Sequence, residues 1–563
     1  LVVSTIEAVM QPRVEALLGR IDGLTASLEG LAREAVAAHA DVEEAALGAT
    51  DVALPEEVRA RVDLLNRTRT ALEDLHWRYT SGPGGRGRSP LGITNSTGCS
   101  SVWGSTYPYN PYPYPWVNHL FQDAPSIAIG IFEGHMRKMA DAFVALRRAQ
   151  KLVDGSYDAD VDEPFFSAFD WEQFDDTEFK LCPPILTIGG DGAMLDIGFQ
   201  NLSRLMASGK PIRVLVLDTQ VYSNTGGQAC TSGFTGQIAD MSAWGAAHHG
   251  KEEIRKELSY IAIAHRGVFV HQSSQALASH LMEWVIKGLN TRRPALFNIY
   301  TPCPVEHRLA DEWAPEAAKL ALEARAFPFM TYDPDGGRDI ADCLSLEGNP
   351  ALDDTWPTYS LTFKDEEGKE VQEELPLTIA DWAFTETRFR KHFKPVKNGG
   401  ADDLVLFHEF LELANEEREG KRPFIWTVDA QGHRSRIVAS VEMVKLAEER
   451  LLFWHQIREL AGLDVPEEVQ ERVSDALEAD FQAKLDALAA EHERKRQELE
   501  AEYPRVVARR MAERLLASDR NRTVGDILAE AAGGGVAVAP PPVAAPAPAP
   551  ATPPAATASA VAT

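Results

Sequence analysis

Pro184-Ile185-Leu186-Thr187-Ile188-Gly189-Gly190-Asp191-Gly192 begins as a short apolar run and closes on glycines around one carboxylate. An amphipathic stretch follows to about Ser208, and then a second apolar run, Ile212–Thr219, rich in valine and leucine. Gly267–His271 and Ala295–Thr301 read as further strands, separated by helix-length segments. Short buried strands alternating with helices predict an α/β fold, a parallel sheet flanked by helices on both faces. Glycines at a strand end let the backbone approach a phosphate closely. An aspartate there can hold a divalent cation that bridges two phosphate groups, and a helix opening just afterwards offers free N–H groups to anions. The strand ends of a parallel sheet lie together, so Asp191 and Thr219–Asn224 should converge on one crevice. A carboxylate, a hydroxyl and a backbone carbonyl would complete an oxygen-rich magnesium site. By itself, however, Gly-Asp-Gly also makes an ordinary turn.

The whole chain has 563 residues and a net charge of −28, from 56 basic and 84 acidic side chains. That balance argues against nucleic-acid binding, which needs a basic footprint. The length allows about three to four domains. No run of 18 apolar residues suggests a membrane span. Five cysteines in such a length do not make a disulfide scaffold and suit a reducing cytoplasm. The sequence opens on Leu1 without a basic-then-apolar leader, and a fragment is expected.

Five segments are expected around this centre. Within 1–80, Val14, Leu17, Ile21, Leu24, Leu28, Leu31 and Ala35 form a heptad seam, and Val58, Val62, Leu65, Leu72 and Leu75 mark a second helix. The simplest arrangement is a self-contained antiparallel hairpin, either packing on its own chain or docking a partner. If it is self-contained, deleting it leaves the rest intact. The main α/β domain spans 81–330 and starts with a glycine-rich stretch, Ser81–Pro90, which lacks the ending of a P-loop and reads as a flexible linker. Residues 331–465 are mixed, with a charged hairpin at 360–376 and a helix carrying Val441, Leu446, Leu451, Leu452 and Trp454. Residues 466–532 are charged and helical, interrupted near Pro504, and 533–563 are an Ala/Pro-rich tether.

With those residues in place, a resemblance becomes specific. Gly190-Asp191-Gly192, followed by Asp218-Thr219-Gln220-Val221-Tyr222-Ser223-Asn224-Thr225-Gly226-Gly227-Gln228, resembles the thiamine-diphosphate domain of the pyruvate:ferredoxin (flavodoxin) oxidoreductases, within the wider 2-oxoacid:ferredoxin oxidoreductase family. Asn95–Gly104 and Tyr300-Thr301-Pro302-Cys303 resemble two more signatures, in the family's order. The likeness is strong over 91–330, weaker over 331–460, and absent from 1–80 and 467–563.

The resemblance implies magnesium held by Asp191, Thr219 and the Val221 carbonyl. It places Asn224 beside the reactive ring of thiamine diphosphate as the catalytic residue. Thr97, Gly98, Cys99, Gly190, Gly192, Ser223 and Thr225 would lie against the cofactor. It also implies a 4Fe-4S cluster on four cysteines, of which Cys99 and Cys303 match two. The other two belong to a Cys-x-x-Cys motif that this sequence lacks, so missing N-terminal domains or a partner chain must supply them. The implied reaction is oxidative decarboxylation of a 2-oxoacid, pyruvate first, to acyl-CoA and CO2. Electrons pass to the cluster and on to ferredoxin or flavodoxin in a cytoplasmic homodimer. The glutamate that activates the cofactor and the substrate arginine lie outside the matched motifs. The chain alone is therefore expected to bind cofactor weakly and turn over little.

Two alternatives stay open, a non-oxidative thiamine-dependent decarboxylase or ligase, and a non-catalytic assembly subunit. Cys230 falls where the family has a small residue and is not taken as a ligand. Cys182 and Cys343 read as inert thiols. His248 and His249 read as helix-end contacts, and His307 as structural. Asp196 is expected to face the helix and not the metal. Tyr107–Trp116 either lines access to the cofactor or is a stiff surface loop.

Overall fold

The computed structural model describes residues 1–39, 54–105, 114–242, 250–396, 403–464 and 467–517. His248 and His249, most of Tyr107–Trp116 and the tether at 533–563 lie outside the described residues. Contacts divide the chain into one unit at Leu1–Asp464 and a second at Val465–Thr563.

An eight-stranded sheet organises the first unit. Its strands are β1 (Gly92–Ser96), β2 (Trp116–His119), β3 (Ile185–Gly190), β4 (Arg213–Asp218), β5 (Phe269–Ser274), β6 (Ala295–Tyr300), β7 (Met330–Tyr332) and β8 (Leu344–Ser345). The order is β2-β1-β3-β4-β6-β5-β7-β8. The pairings among β1 to β6 are parallel, and β7 and β8 add an antiparallel edge. Four strands fall where the apolar runs predicted them. β1 and β2 escape a reading by apolar runs because polar residues such as Thr94, Asn95, Ser96 and Asn118 fill them.

The sheet is covered on both faces, as buried parallel strands require. One cluster joins Val214 and Val216 of β4 to the helices at Ala124–Val153 and Phe199–Ala207. The alternate residues, Leu186, Ile188 and Leu215, pack in a second cluster with the helix at Ala278–Asn290. The period-two alternation of a strand produces this division.

The helices Val2–Ala37 and Glu56–Thr80 do pack together, and their partner is their own chain. The expectation of a self-contained hairpin is not met. Leu17, Ile21, Leu24, Leu28, Leu65, Leu72 and Leu75 belong to the first sheet cluster. Val2, Val3, Ile6 and Met10 belong to the second. A heptad seam looks the same in sequence whether a helix or a sheet-bound helix covers it. The glycine-rich stretch is likewise not a loose linker. Gly87 donates its N–H to the Ser81 carbonyl at 2.8 Å with φ +73°, and a Cβ there would sit 2.0 Å from the Tyr79 oxygen.

Residues beyond 330 add the charged hairpin β9 (Thr358–Lys364) and β10 (Glu370–Pro376). They also add a four-stranded sheet of β11 (Phe393–Pro395), β12 (Leu404–Leu406), β13 (Arg422–Val428) and β14 (Arg434–Ala439), ordered β11-β14-β13-β12. Its core, with Trp382, Phe389, Ile425 and Leu446, reaches Phe234 and Tyr300 of the main domain. Phe453, Trp454 and Ile457 on the helix Val441–Leu460 join the first sheet cluster.

In the second unit a single helix runs Glu467–Ala517 straight through Pro504. The expected interruption is absent, because the alanines, glutamates and arginines on either side propagate the helix past one lost hydrogen bond. Among the described residues no helix is long and apolar enough to cross a membrane.

Removing 1–80 should therefore strip apolar cover from both faces of the sheet and abolish cooperative unfolding. Leu28→Ala alone should cost about 2–5 kcal/mol in urea denaturation followed by tryptophan fluorescence. A truncated chain that keeps the parent's transition would restore the self-contained hairpin.

Candidate active site

Between β1 and β3 the chain order reverses. β2 lies outside β1 on one side, and β3 and β4 follow on the other. Such a switch point opens a crevice at the carboxyl ends of the strands. The loops after β1, β3, β4 and β6 line one cavity there of about 390 Å³. They bring together Thr97, Gly98 and Cys99; Gly190, Asp191 and Gly192; Thr219, Val221, Ser223, Asn224 and Thr225; and Cys303. All twelve positions singled out in the sequence thus meet at one site. Asn224 is exposed in the short turn Ser223–Thr225.

Asp191 is 1% exposed. Its Oδ1 accepts the Thr219 N–H at 3.2 Å and lies 3.0 Å from the Thr219 hydroxyl. Its Oδ2 accepts from the Cys230 thiol at 3.2 Å and from the Ser232 hydroxyl. The Thr219 Oγ1 is also 3.0 Å from the Val221 carbonyl, and Ser223 donates to it at 2.9 Å. A hydroxyl has one proton, so it serves Asp191 or Val221 but not both at once.

The three oxygens therefore form a chain of 3.0 Å steps. Neighbouring ligands of an octahedral magnesium with bonds of 2.0–2.1 Å stand about 2.9 Å apart. The donor set and its spacing fit such an ion. A Cβ on Gly190 would meet only the Leu217 oxygen, at 3.9 Å, so this glycine leaves room on the cavity wall. A Cβ on Gly192 would lie 2.4 Å from the Tyr222 ring. Gly192 thus admits the Tyr222 ring, and the open backbone at Gly190 suits a bulky polyanion brought close to the carboxylate.

After Asp191 the chain does not enter a regular α-helix directly. Gly192–Ile197 form a π-helical turn, closed by the Gly198 N–H on the Ala193 carbonyl at 2.8 Å, and the α-helix begins at Phe199. Asp196 turns away from Asp191 and accepts from the Tyr222 hydroxyl at 2.9 Å and from Thr231. Burial and the Asp196 carboxylate raise the Tyr222 phenol above its ordinary range.

Behind the cavity lies a layer of buried charge. Arg255 and Asp218, both fully buried, pair at 2.5 Å. Arg255 also donates to the Ser232 carbonyl, and Glu257 links it to Arg450. Burial holds the Asp218 carboxyl above the usual range against the pull of Arg255. His307, fully buried, donates through Nε2 to the Thr219 carbonyl at 2.9 Å. Burial, with Arg388 nearby, keeps its imidazole neutral by lowering its pKa well below the ordinary value.

Cys99 and Cys303 line the same cavity, and neither forms a disulfide. Burial, then the nearby Cys303, then Glu306 raise the Cys99 thiol. Burial beside Asp191 raises Cys230 as well. Cys182 is half-buried and Cys343 buried, both outside this cavity. Sequence reasoning missed Cys230 and Ser232 as partners of Asp191. Their only local signal was their position just after Gln228, where the polar run that follows β4 ends.

Residues 179–299 match the thiamine pyrophosphate enzyme C-terminal TPP-binding domain. Among curated proteins, the chain is 29% identical over 313 residues to the pyruvate:ferredoxin oxidoreductase of Moorella thermoacetica, covering 48% of this chain and 25% of that protein. It is 30% identical over 281 residues to the pyruvate-flavodoxin oxidoreductase of Klebsiella pneumoniae, covering 43% and 23%. It is 26% identical over 264 residues to the pyruvate synthase subunit PorB of Methanocaldococcus jannaschii, covering 45% and 78%. The match thus spans about a quarter of the length of the two large relatives. A solved structure of a 2-oxoglutarate:ferredoxin oxidoreductase from Magnetococcus marinus is 16% identical, with a TM-score of 0.26 over 43% of this chain and 61% of that one. The family read from the sequence motifs is the one these curated relatives carry.

The buried pair gives a direct test of how this site is supported. Arg255→Met leaves Asp218 without its counter-charge and should cost about 3–5 kcal/mol of stability. Adding Asp218→Asn should return part of it, because the uncompensated charge is gone. Equal urea midpoints for parent and Arg255→Met would remove the pair from any supporting role.

Proposed function

We propose that this chain is the thiamine-diphosphate- and magnesium-binding part of a 2-oxoacid:ferredoxin oxidoreductase, with pyruvate as the first substrate to test. The observation that carries this reading is the row of oxygens from Asp191, Thr219 and Val221 at 3.0 Å spacing, on the wall of a cavity also lined by Asn224, Cys99 and Cys303. The family match over 179–299 supports the cofactor, and the curated relatives support the reaction class.

When bound, thiamine diphosphate supplies a nucleophilic carbon and an electron sink for decarboxylating a 2-oxoacid. The chain's own part is binding and orientation. Asp191, the Thr219 hydroxyl and the Val221 carbonyl hold the magnesium. That ion would offset the charge of the diphosphate, for which the bare backbone at Gly190 leaves room beside Asp191. Cys230 and Ser232 donate to the second oxygen of Asp191, so the buried carboxylate is held in one orientation. Thr97, Gly98, Ser223 and Thr225 form the remaining contacts. Asn224 lines the same cavity from its turn, and its amide would orient a substrate carboxylate or keto oxygen there.

Cys99 and Cys303 would supply two of the four thiolates of a 4Fe-4S cluster, the others coming from residues outside this chain. Electrons would leave through that cluster to ferredoxin or flavodoxin, and coenzyme A would take the acyl group. A homodimer completed by the missing domains, or a partner chain, is the assembly we propose.

In the complete enzyme, Asp191→Ala should abolish magnesium-dependent binding of thiamine diphosphate in calorimetric titration, while the folded baseline in circular dichroism is retained. An unchanged cofactor affinity in a folded Asp191→Ala protein would overturn the assignment.

A further inference from the structure

Gln220 stands between the two loop residues assigned to the metal and has φ +61°. A non-glycine residue in that left-handed region is held there by its surroundings and not by its own preference. Gln220 is fully buried, and none of the side chains that hold it lines the cavity.

Arg388 donates through Nη2 to the Gln220 side-chain carbonyl at 2.6 Å and through Nη1 to that of Gln237 at 3.3 Å. Gln237 in turn donates to the Gln220 backbone carbonyl at 2.9 Å. Arg388 Nε donates to Glu386, whose carboxylate also accepts from Tyr300 at 3.2 Å. His307 grips the preceding carbonyl, that of Thr219, and its Nδ1 faces Glu386 at 3.9 Å. The turn is thus held at two successive carbonyls and one side chain. Two of its holders, Glu386 and Arg388, come from the segment beyond residue 330.

Building a carboxylate and a guanidinium into this interior is expensive, and an apolar pair of similar volume would often be as stable. Packing alone does not explain them. Their hydrogen bonds instead fix the direction of each peptide plane between Thr219 and Val221. With those planes fixed, the Thr219 hydroxyl stands 3.0 Å from Asp191 Oδ1 and 3.0 Å from the Val221 carbonyl.

We infer that His307, Gln237, Glu386 and Arg388 are positioning residues for the cation, presetting the Thr219–Val221 turn before any metal arrives. The inference rests on the cofactor reading above. It gives the segment 331–464 a task in metal binding that its sequence does not announce.

The test uses the 563-residue chain with His307→Leu, His307→Gln, Arg388→Met and Arg388→Lys. Hydrogen exchange of peptides covering Asp218–Asn224 is measured without metal. Calorimetry with thiamine diphosphate across a magnesium series is measured separately. His307→Leu, Arg388→Met and Arg388→Lys should speed exchange in that loop while the central strands stay protected. Each should weaken magnesium-dependent cofactor binding by ~10–100-fold, as loss of an outer partner does at metal sites. His307→Gln keeps an N–H for the Thr219 carbonyl and should recover most of both.

Should His307→Leu or Arg388→Met fail to fold, Arg388→Lys carries the same test, since it keeps the charge beside Glu386 but loses the fork. Folded variants with parental loop exchange and parental magnesium dependence would overturn the inference. So would a His307→Gln as impaired as His307→Leu. An unvaried chain that binds no thiamine diphosphate would overturn the cofactor reading instead, and the exchange comparison would still judge the clamp.

Discussion

Asp191 is a carboxylate with almost no exposure to water, so hydrogen-bond donors for its oxygens must come from the protein itself. A buried oxygen left without a donor is costly. Here the Thr219 N–H and the hydroxyl or thiol groups of Thr219, Cys230 and Ser232 surround its two oxygens. Each donor comes from the chain after β4, so the loop that must meet the carboxylate is also the loop that satisfies its oxygens. The Ser232 carbonyl, in turn, is held by Arg255, and Arg255 is neutralised by Asp218 at the end of β4. The charge of one residue at the carboxyl edge is thus tied through three hydrogen-bonded steps to the strand beside it.

The central sheet was legible because its signal is local. Apolar runs of six or so residues, spaced by helices, name β3, β4, β5 and β6 directly. Glycines at the end of β3 and the polar run after β4 place the site at the carboxyl edge. β1 was readable only through its following motif, since Thr94, Asn95 and Ser96 are buried polar residues that break the apolar pattern. The paired helices at the start of the chain were visible as helices, but the surface they cover was not. Leu28 shows the limit. Its heptad position predicts burial, and it is fully buried, yet against the sheet's helical layer as much as against its neighbour.

The site divides along the same line. Asp191, Thr219, Val221 and Asn224 sit in contiguous motifs and could be nominated residue by residue. Cys230 was seen and set aside as a ligand. It touches Asp191 as a hydrogen-bond donor, a role that depends on the loop folding back. Glu386 and Arg388 are separated from Gln220 by more than 160 residues of chain, so no spacing rule connects them. His307 follows Cys303 by one helical turn, but nothing in that spacing points to the Thr219 carbonyl it holds, 88 residues away in the chain.

Gln220 explains why a strained residue can serve better than an unstrained one. A glycine would adopt the same φ without the roughly 1–2 kcal/mol that a left-handed conformation costs other residues. It would also be free to leave it, and would offer nothing for Arg388 to grip. The glutamine side chain converts the strain into a fixed geometry, because its carbonyl anchors on Arg388 and its backbone carbonyl on Gln237. A metal-binding turn gains from this, since a cation that finds its ligands already aimed need not order them on arrival. The same anchoring explains why the small sheet beyond residue 330 shares a core with Tyr300 and Phe234. Arg388 can hold the turn only if the segment that carries it is itself fixed against the strand ends.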